Sequence, residues 1–364
     1  MEVLLSLLLF AALAGMAIAG RNTSVSAAAS TQDQTDLSSD SSASSSIPPS
    51  PSPTPESISI TLSFAGDCTL GMDSSFAYEG SFNAAYDCHG PSYFLSNVQS
   101  IFAADDLTVV NLEGPLTDSD NRADKTWAFR GDADYAKALS VGSVEAANLA
   151  NNHSSDYGAE SLEDTKAALD TENIVHFGFE NTAIVEVQGV KVGLLGMYTV
   201  YTDDYLPILR ELIQQLQDAG AQVIVASFHW GFENSYIPEE DQVALAHAAI
   251  DAGAHLVIGH HPHVLQGIEI YQGRYIAYSL GNFCFGGNYN PSDYDCIIAQ
   301  QTFTVTGSQV ETESQFHAIP CSISSAATYN NYQPTPAESD VKQRILKKLQ
   351  SLSDGLGQGV QWEP

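Results

Sequence analysis

Basic residues are scarce in this chain. Its 364 residues carry 13 Lys plus Arg against 44 Asp plus Glu, a formal net charge of −31. Binding to nucleic acid needs a basic footprint for the phosphates, so nucleic acid is excluded as a partner. A polyanionic substrate would have to rely on bound cations at the site. The acidity itself is what keeps an exported protein soluble. Cysteine is also sparse: Cys68, Cys88, Cys284, Cys296 and Cys321 are the five present. They form no CxxC, which removes a thiolate zinc site, and the odd count leaves at least one thiol unpaired. Cys284 and Cys296 flank a Gly/Asn/Pro/Asp loop and are the first candidates for a disulfide, with buried free thiols as the alternative. There is no internal repeat at a solenoid period.

The two ends differ from the middle. Val3–Ala19 is almost wholly apolar and closes on Ala17-Ile18-Ala19, the small-x-small pattern of a signal-peptidase site. Glu2 and the missing Lys or Arg before the apolar run leave an uncleaved N-terminal anchor as the alternative. Residues 20–57 are rich in Ser, Thr, Pro, Ala and Asp and hold no aromatic residue. They cannot bury enough apolar surface to offset chain entropy, and Ile47–Pro55, with its repeated prolines, should be extended and stiff. We read them as a disordered N-terminal tether that holds the rest of the chain off a membrane or wall. This predicts an extracellular, cell-envelope location, secreted or membrane-tethered. Residues 58–330 read as one globular unit and 331–364 as a C-terminal helix and tail.

Hydrophobic patterning predicts alternating strands and helices. Strands are expected at Ser59–Ala65, Leu107–Asn111, Val144–Leu149, 183–187, 190–196, Val223–Ala226 and Leu256–Ile258. Four further strands follow at Val264–Ile270, Arg274–Ser279, Ile297–Val305 and Val310–Ile319. Helices are expected at 91–103, 133–140, Ala159–Asp170, 239–251 and Ala337–Leu352. A further helix at Asp204–Ala219 is amphipathic, with Leu206, Leu209, Leu212, Ile213 and Leu216 on one stripe and Gly220 as its stop. The fold class is α/β, a mixed sheet covered by helices.

Five polar clusters follow directly on short apolar runs: Gly66-Asp67, Asn111-Leu112-Glu113, Asn151-Asn152-His153, Phe228-His229-Trp230-Gly231 and Gly259-His260-His261-Pro262-His263. In an open α/β sheet, ligands bind at the carboxyl ends of the parallel strands. The clusters should therefore converge on one rim and hold one or two divalent metal ions. Two such ions polarise a phosphoester and lower the pKa of water. Carboxylate, imidazole and amide oxygen are suitable donors. In an extended segment His261 and His263 would point to the same side. Taken singly, each cluster has an ordinary reading: a turn for Gly66-Asp67, a solvated acid for Glu113, a helix cap for Asn152-His153, and a hydrogen-bonded buried ring for His229. Asp156 and Tyr157 are candidates to orient an imidazole, and Ser279 and Asn282 could reach the same rim. His89, His176, His247, His255 and His317 read as structural or surface residues.

In order, FAGDCTLG (64–71), VNLEGPLT (110–117), ANNHSSDYG (150–158), SFHWGFE (227–233), GHHPHVLQGIE (259–269) and YSLGNF (278–283) resemble the CapA family of capsule-synthesis proteins over roughly residues 58–305. That family is associated with poly-γ-glutamate and is similar to calcineurin-like metallophosphoesterases. The resemblance implies a mixed β-sandwich flanked by helices. It also implies a metal-dependent hydrolase acting on a phosphoester or an amide. Asp67 and His263 would hold a first divalent ion (Mn, Zn, Fe or Mg), Glu113 would bridge, and Asn152, His229 and His261 would hold a second. His153, with Asp156, would be catalytic and protonate the leaving atom. Implied partners are an anionic polymer or phosphoester substrate and a membrane-embedded synthase complex, and a non-catalytic accessory subunit is the alternative role. The chain departs from the phosphoesterase pattern in three places. Asp67 is followed by Cys68 and Thr69 rather than by x-His, Glu113 stands where Asp is usual, and Met72-Asp73 stands where relatives often have Arg.

Overall fold

The computed structural model describes residues 56–200, 205–311 and 315–360. The leader or anchor and nearly all of the tether lie outside the described residues. Among the described residues no helix is long and apolar enough to cross a membrane.

The first strands are β1 (Ser57–Thr69), β2 (Leu107–Leu112), β3 (Ala146–Asn148) and β4 (Val175–Phe177). They pair in parallel in the order β1-β2-β3-β4. The chain then builds a second sheet from β5 (Ala183–Val187), β6 (Val190–Tyr198), β7 (Val223–His229), β8 (Leu256–His260), β9 (Ile268–Tyr271) and β10 (Arg274–Ala277). Its order is β9-β10-β8-β7-β6-β5, parallel from β10 to β6 and antiparallel at both edges. Finally β11 (Asn282–Phe285), β12 (Asp295–Thr306) and β13 (Gln315–Ser322) return to the first sheet. There β12 lies antiparallel to β1, β13 lies outside β12, and β11 runs parallel beside the end of β1.

The two sheets pack face to face. Ile60, Leu62 and Phe64 of β1 meet Val192, Val223, Val225 and Ile258 in one inter-sheet core. The outer faces are apolar too, which is why β7 reads as a continuous run rather than an alternation. Ile224, Ala226 and Phe228 of β7 face α3 (Tyr205–Asp218) and α4 (Glu240–Ala252). Val110 and Leu112 of β2 face a layer that includes α1 (Phe82–His89) and α2 (Ala159–Thr171). The result is the expected mixed β-sandwich flanked by helices. The parallel strands of both sheets end on the same rim.

Several expectations are corrected. Residues 91–103 do not form one helix but a tight turn at Pro91–Tyr93 and a short helix at Gln99–Phe102. Leu206 is 41% exposed, off the buried stripe of α3. The strand expected from Val264 begins at Ile268 instead, because 264–267 are drawn into the loop beside the site. No disulfide joins Cys284 and Cys296. All five thiols are free, four of them buried, and Cys296 faces Cys321 in register across β12 and β13.

The C-terminal helix α5 (Ser339–Ser353) docks on the sandwich. Ile345 and Leu349 are fully buried within the inter-sheet core. Arg344 donates twice to Asp295, at 2.6 Å from each nitrogen, and Lys348 donates to the same carboxylate at 3.2 Å. Those charge-assisted bonds outweigh burial and hold the Asp295 carboxyl below its usual range.

Candidate metal centre

Backbone geometry brings the donors to the rim. The β1–β2 register shifts between Ala65 and Asp67. At the intervening Gly66 a Cβ would lie 1.9 Å from the Gly281 carbonyl oxygen, so only glycine permits this approach. The shift aims Asp67 at the rim, where its N–H donates to that same carbonyl at 3.1 Å. His261 and His263 are not in an extended segment. Their φ values are 95° and 58°, so the rings share a pocket because the loop turns twice through the left-handed region. Such conformations are costly for residues with side chains and cluster at functional sites.

The structure brings Asp67, Glu113, Asn152, His229, His261 and His263 together. Asp67, Glu113 and His229 are fully buried. From Glu113 Oε1, the Nε2 atoms of His229, His263 and His153 stand 3.6, 3.6 and 3.9 Å away. His263 Nδ1 lies 3.3 Å from Asp67 Oδ2. It also lies 2.9 Å from Asn282 Oδ1, and Asn282 Nδ2 donates to the His263 carbonyl. Asn282 thus holds His263 at one ring nitrogen and at its backbone carbonyl. His229 Nε2 is 2.7 Å from Asn152 Oδ1. On the inner side Asn111 Nδ2 donates to Asp67 Oδ1 at 2.8 Å and faces His229 Nδ1 at 3.3 Å, while Asn148 donates to Asn111 Oδ1.

This donor set fits a metal. Both carboxylate oxygens of Glu113 are buried with no hydrogen-bond partner, as are Nδ1 of His260 and of His261. Buried polar atoms are seldom left this way. Separations of 3.6 Å are too long for hydrogen bonds, but donors about 2.1 Å from a shared ion lie roughly 3–3.6 Å apart. Two donor triplets, Asp67-Glu113-His263 and Glu113-His229-His261, share Glu113, with one ligand atom from each residue within 4.8 Å of the others. Burial keeps His229 and His261 neutral and able to ligate, His261 lowered to about 4. Burial also pushes Glu113 up to about 8. His263 goes the other way: burial would lower it, but the carboxylates of Glu113 and Asp67 lift it to about 10.

One wall of the site is a strap, residues 122–129. Asp156, almost wholly buried, accepts from Lys125 Nζ at 2.5 Å, from Phe129 N at 2.7 Å and from His153 Nδ1 at 2.7 Å. Asp73 binds the other end, accepting from Arg122 Nη2 at 2.8 Å and Ala128 N at 2.6 Å. The departure at Met72-Asp73 is therefore structural: Asp73 anchors the strap rather than meeting substrate. Between strap and histidine loop lies a cleft of about 240 Å³, lined by Phe76, Trp127, Phe129, His153, Glu233 and His263 among others. Among the described residues no Lys or Arg lines it.

Residues 61–287 match the family model described as bacterial capsule synthesis protein PGA_cap. The chain belongs to this family. Relatives include the PGA biosynthesis protein CapA of Bacillus subtilis, 32% identical over 71% of this chain and 72% of that protein. The capsule biosynthesis protein CapA of Bacillus anthracis is 29% identical over 72% and 67%. A Mycobacterium tuberculosis protein named a probable polyglutamine synthesis accessory protein is 29% identical over 55% and 59%.

Within this PGA_cap member, some expected neighbours lie elsewhere. Ser279 donates to the Val264 carbonyl and is structural. Tyr157 lies under the Arg130 guanidinium at 5.0 Å, not beside an imidazole. Cys68 is fully buried in the outer core, where burial raises its thiol to about 12, so it does not replace the missing histidine. The five other histidines are indeed outside the site; His247, for example, pairs with Glu269 and stacks on Tyr271. Lys125, Asn111, Asn148 and Glu233 were not singled out by sequence reasoning. Asn111 opens one of the five clusters, and Glu233 closes the SFHWGFE motif. Lys125 carries no local signal.

Proposed function

We propose that this chain acts at the cell envelope in the synthesis, export or processing of poly-γ-glutamate, through a divalent-metal hydrolase site. The observation that carries the metal site is the bare Glu113 carboxylate, ringed by donors at the meeting of both sheets. The polymer assignment draws on the capsule proteins to which the chain is similar. In this reading Asp67, Glu113 and His263 would hold one ion, and Glu113, Asn152, His229 and His261 would hold the other. Mixed oxygen and imidazole donors suit Mn, Zn, Fe or Mg. The ions would supply Lewis acidity toward a phosphoester or amide carbonyl. His153, oriented by Asp156 and Lys125, protonates the leaving atom. Among the described residues no basic side chain lines the cleft, so bound cations would supply the attraction for an anionic polymer.

The test is incubation of purified protein with Mn²⁺ and poly-γ-glutamate, and separately with an aryl phosphate. Metal-dependent cleavage of either one is expected, lost in His261→Ala. A protein that binds the polymer equally with and without chelator, and cleaves neither substrate, would instead be the accessory subunit that the name of the mycobacterial relative suggests.

A further inference from the structure

Glu233 has no part in the ligand set above, yet the fold aims it at the cage. It lies on the loop after β7, and that loop is pinned on both sides. Trp230, 1% exposed, stacks on Phe228 at 4.7 Å between ring centres, and its Nε1 donates to the Tyr278 carbonyl at 2.9 Å. Beyond Glu233, Asn234 N donates to the Pro262 carbonyl at 2.8 Å, and Gln266 Nε2 donates to the Ser235 carbonyl at 2.9 Å. The Pro262 bond fastens this loop to the residue between His261 and His263. Glu233 itself is exposed on the cleft wall. With His261 and His263 it forms a third donor triplet, one atom of each within 4.8 Å of the others. His261 is 7% exposed, and its Nδ1 has no partner.

We propose that Glu233 is an additional ligand of the metal centre, a carboxylate that closes the cage from the solvent side between His261, assigned above to one ion, and His263, assigned to the other, and that yields its position to an anionic group of the substrate. This rests on the reading of the cage as a metal centre. The two buried carboxylates, Asp67 and Glu113, do not neutralise a pair of divalent ions, and a third brings the charge closer to balance. The buried acids are fixed, whereas an exposed glutamate side chain can rotate away. A carboxylate of poly-γ-glutamate has the same chemistry as the group it would displace, so Glu233 acts as an internal stand-in for substrate.

The experiment is titration of the metal-free full-length protein with Co²⁺, followed by calorimetry and by the visible bands that report coordination number. Wild type, Glu233→Gln and His229→Ala are compared. Being exposed, Glu233 can be replaced by Gln with little effect on folding. We expect Glu233→Gln to weaken Co²⁺ binding by about 10-fold and to change the band intensities, and His229→Ala to lose an ion altogether. Wild-type binding that His229→Ala disrupts and Glu233→Gln leaves unchanged in affinity and spectrum overturns the Glu233 assignment alone. Absence of Co²⁺ binding in the wild type overturns both this proposal and the metal reading beneath it.

Discussion

Replacing Glu113 by Gln abolishes the stabilisation of the folded protein by divalent metal and raises the melting temperature of the metal-free form. Without an ion, the Glu113 carboxylate is fully buried and both its oxygens lack a partner. Once that carboxyl is ionised, exchanging the buried charge for a neutral amide gains about 1–3 kcal/mol, a rise of several degrees for a domain of this size. Burial lifts the Glu113 pKa from 4.5 to about 8, so the folded state keeps a proton that the unfolded chain has released. The metal-free wild type therefore loses stability as pH rises from about 4.5 to about 8. The Gln variant lacks this part of the slope. With ion at about a thousand times its dissociation constant, wild type gains about 4 kcal/mol by mass action, and the variant gains none of it. Thermal melts at several pH values, with metal and with chelator, measure all three effects. A variant that metal still stabilises would remove Glu113 from the bridging position.

His153→Ala lowers turnover by about 10²- to 10⁴-fold while leaving metal content unchanged. The His153 ring sits on the cleft wall with Nδ1 committed to Asp156 at 2.7 Å, leaving Nε2 facing the cage. Burial lowers the pKa of His153, and Asp156 partly restores it. Asp156 is held in turn by Lys125, so Lys125→Met should produce a smaller loss of the same kind and Lys125→Arg should recover part of it. Metal analysis alongside steady-state kinetics separates the roles. Unchanged turnover contradicts a proton-transfer role for His153, and a lost ion makes it a ligand instead.

The ligand candidates were legible because each follows a short, strongly apolar strand. β-Branched runs such as Val223–Ala226 and Leu256–Ile258 mark their own ends, and the next polar residue falls on the rim. The way His261 and His263 converge was not legible, since φ values of 95° and 58° are imposed by the loop's tertiary ties. Lys125 reaches Asp156 across 31 positions, and no local pattern announces such a contact. Helix α1 escaped notice because it buries a single residue, Phe82, and so has no apolar period. Strand β11 carries no readable period because it is four residues long and pairs with the distant end of β1. Docking of α5 depends on the inter-sheet gap that Ile345 and Leu349 fill, a feature of the assembled sandwich rather than of the helix.

The central claim is that Glu113 is a shared ligand between two cations. Anomalous diffraction at the metal edge, on crystals of Mn²⁺-loaded protein, tests it most directly. The account predicts two peaks flanking the Glu113 carboxylate, one against Asp67 and His263 and the other against His229, His261 and Asn152. Crystals saturated with metal that show peaks only on surface carboxylates, with the space around Glu113 filled by water or side chain, would contradict it.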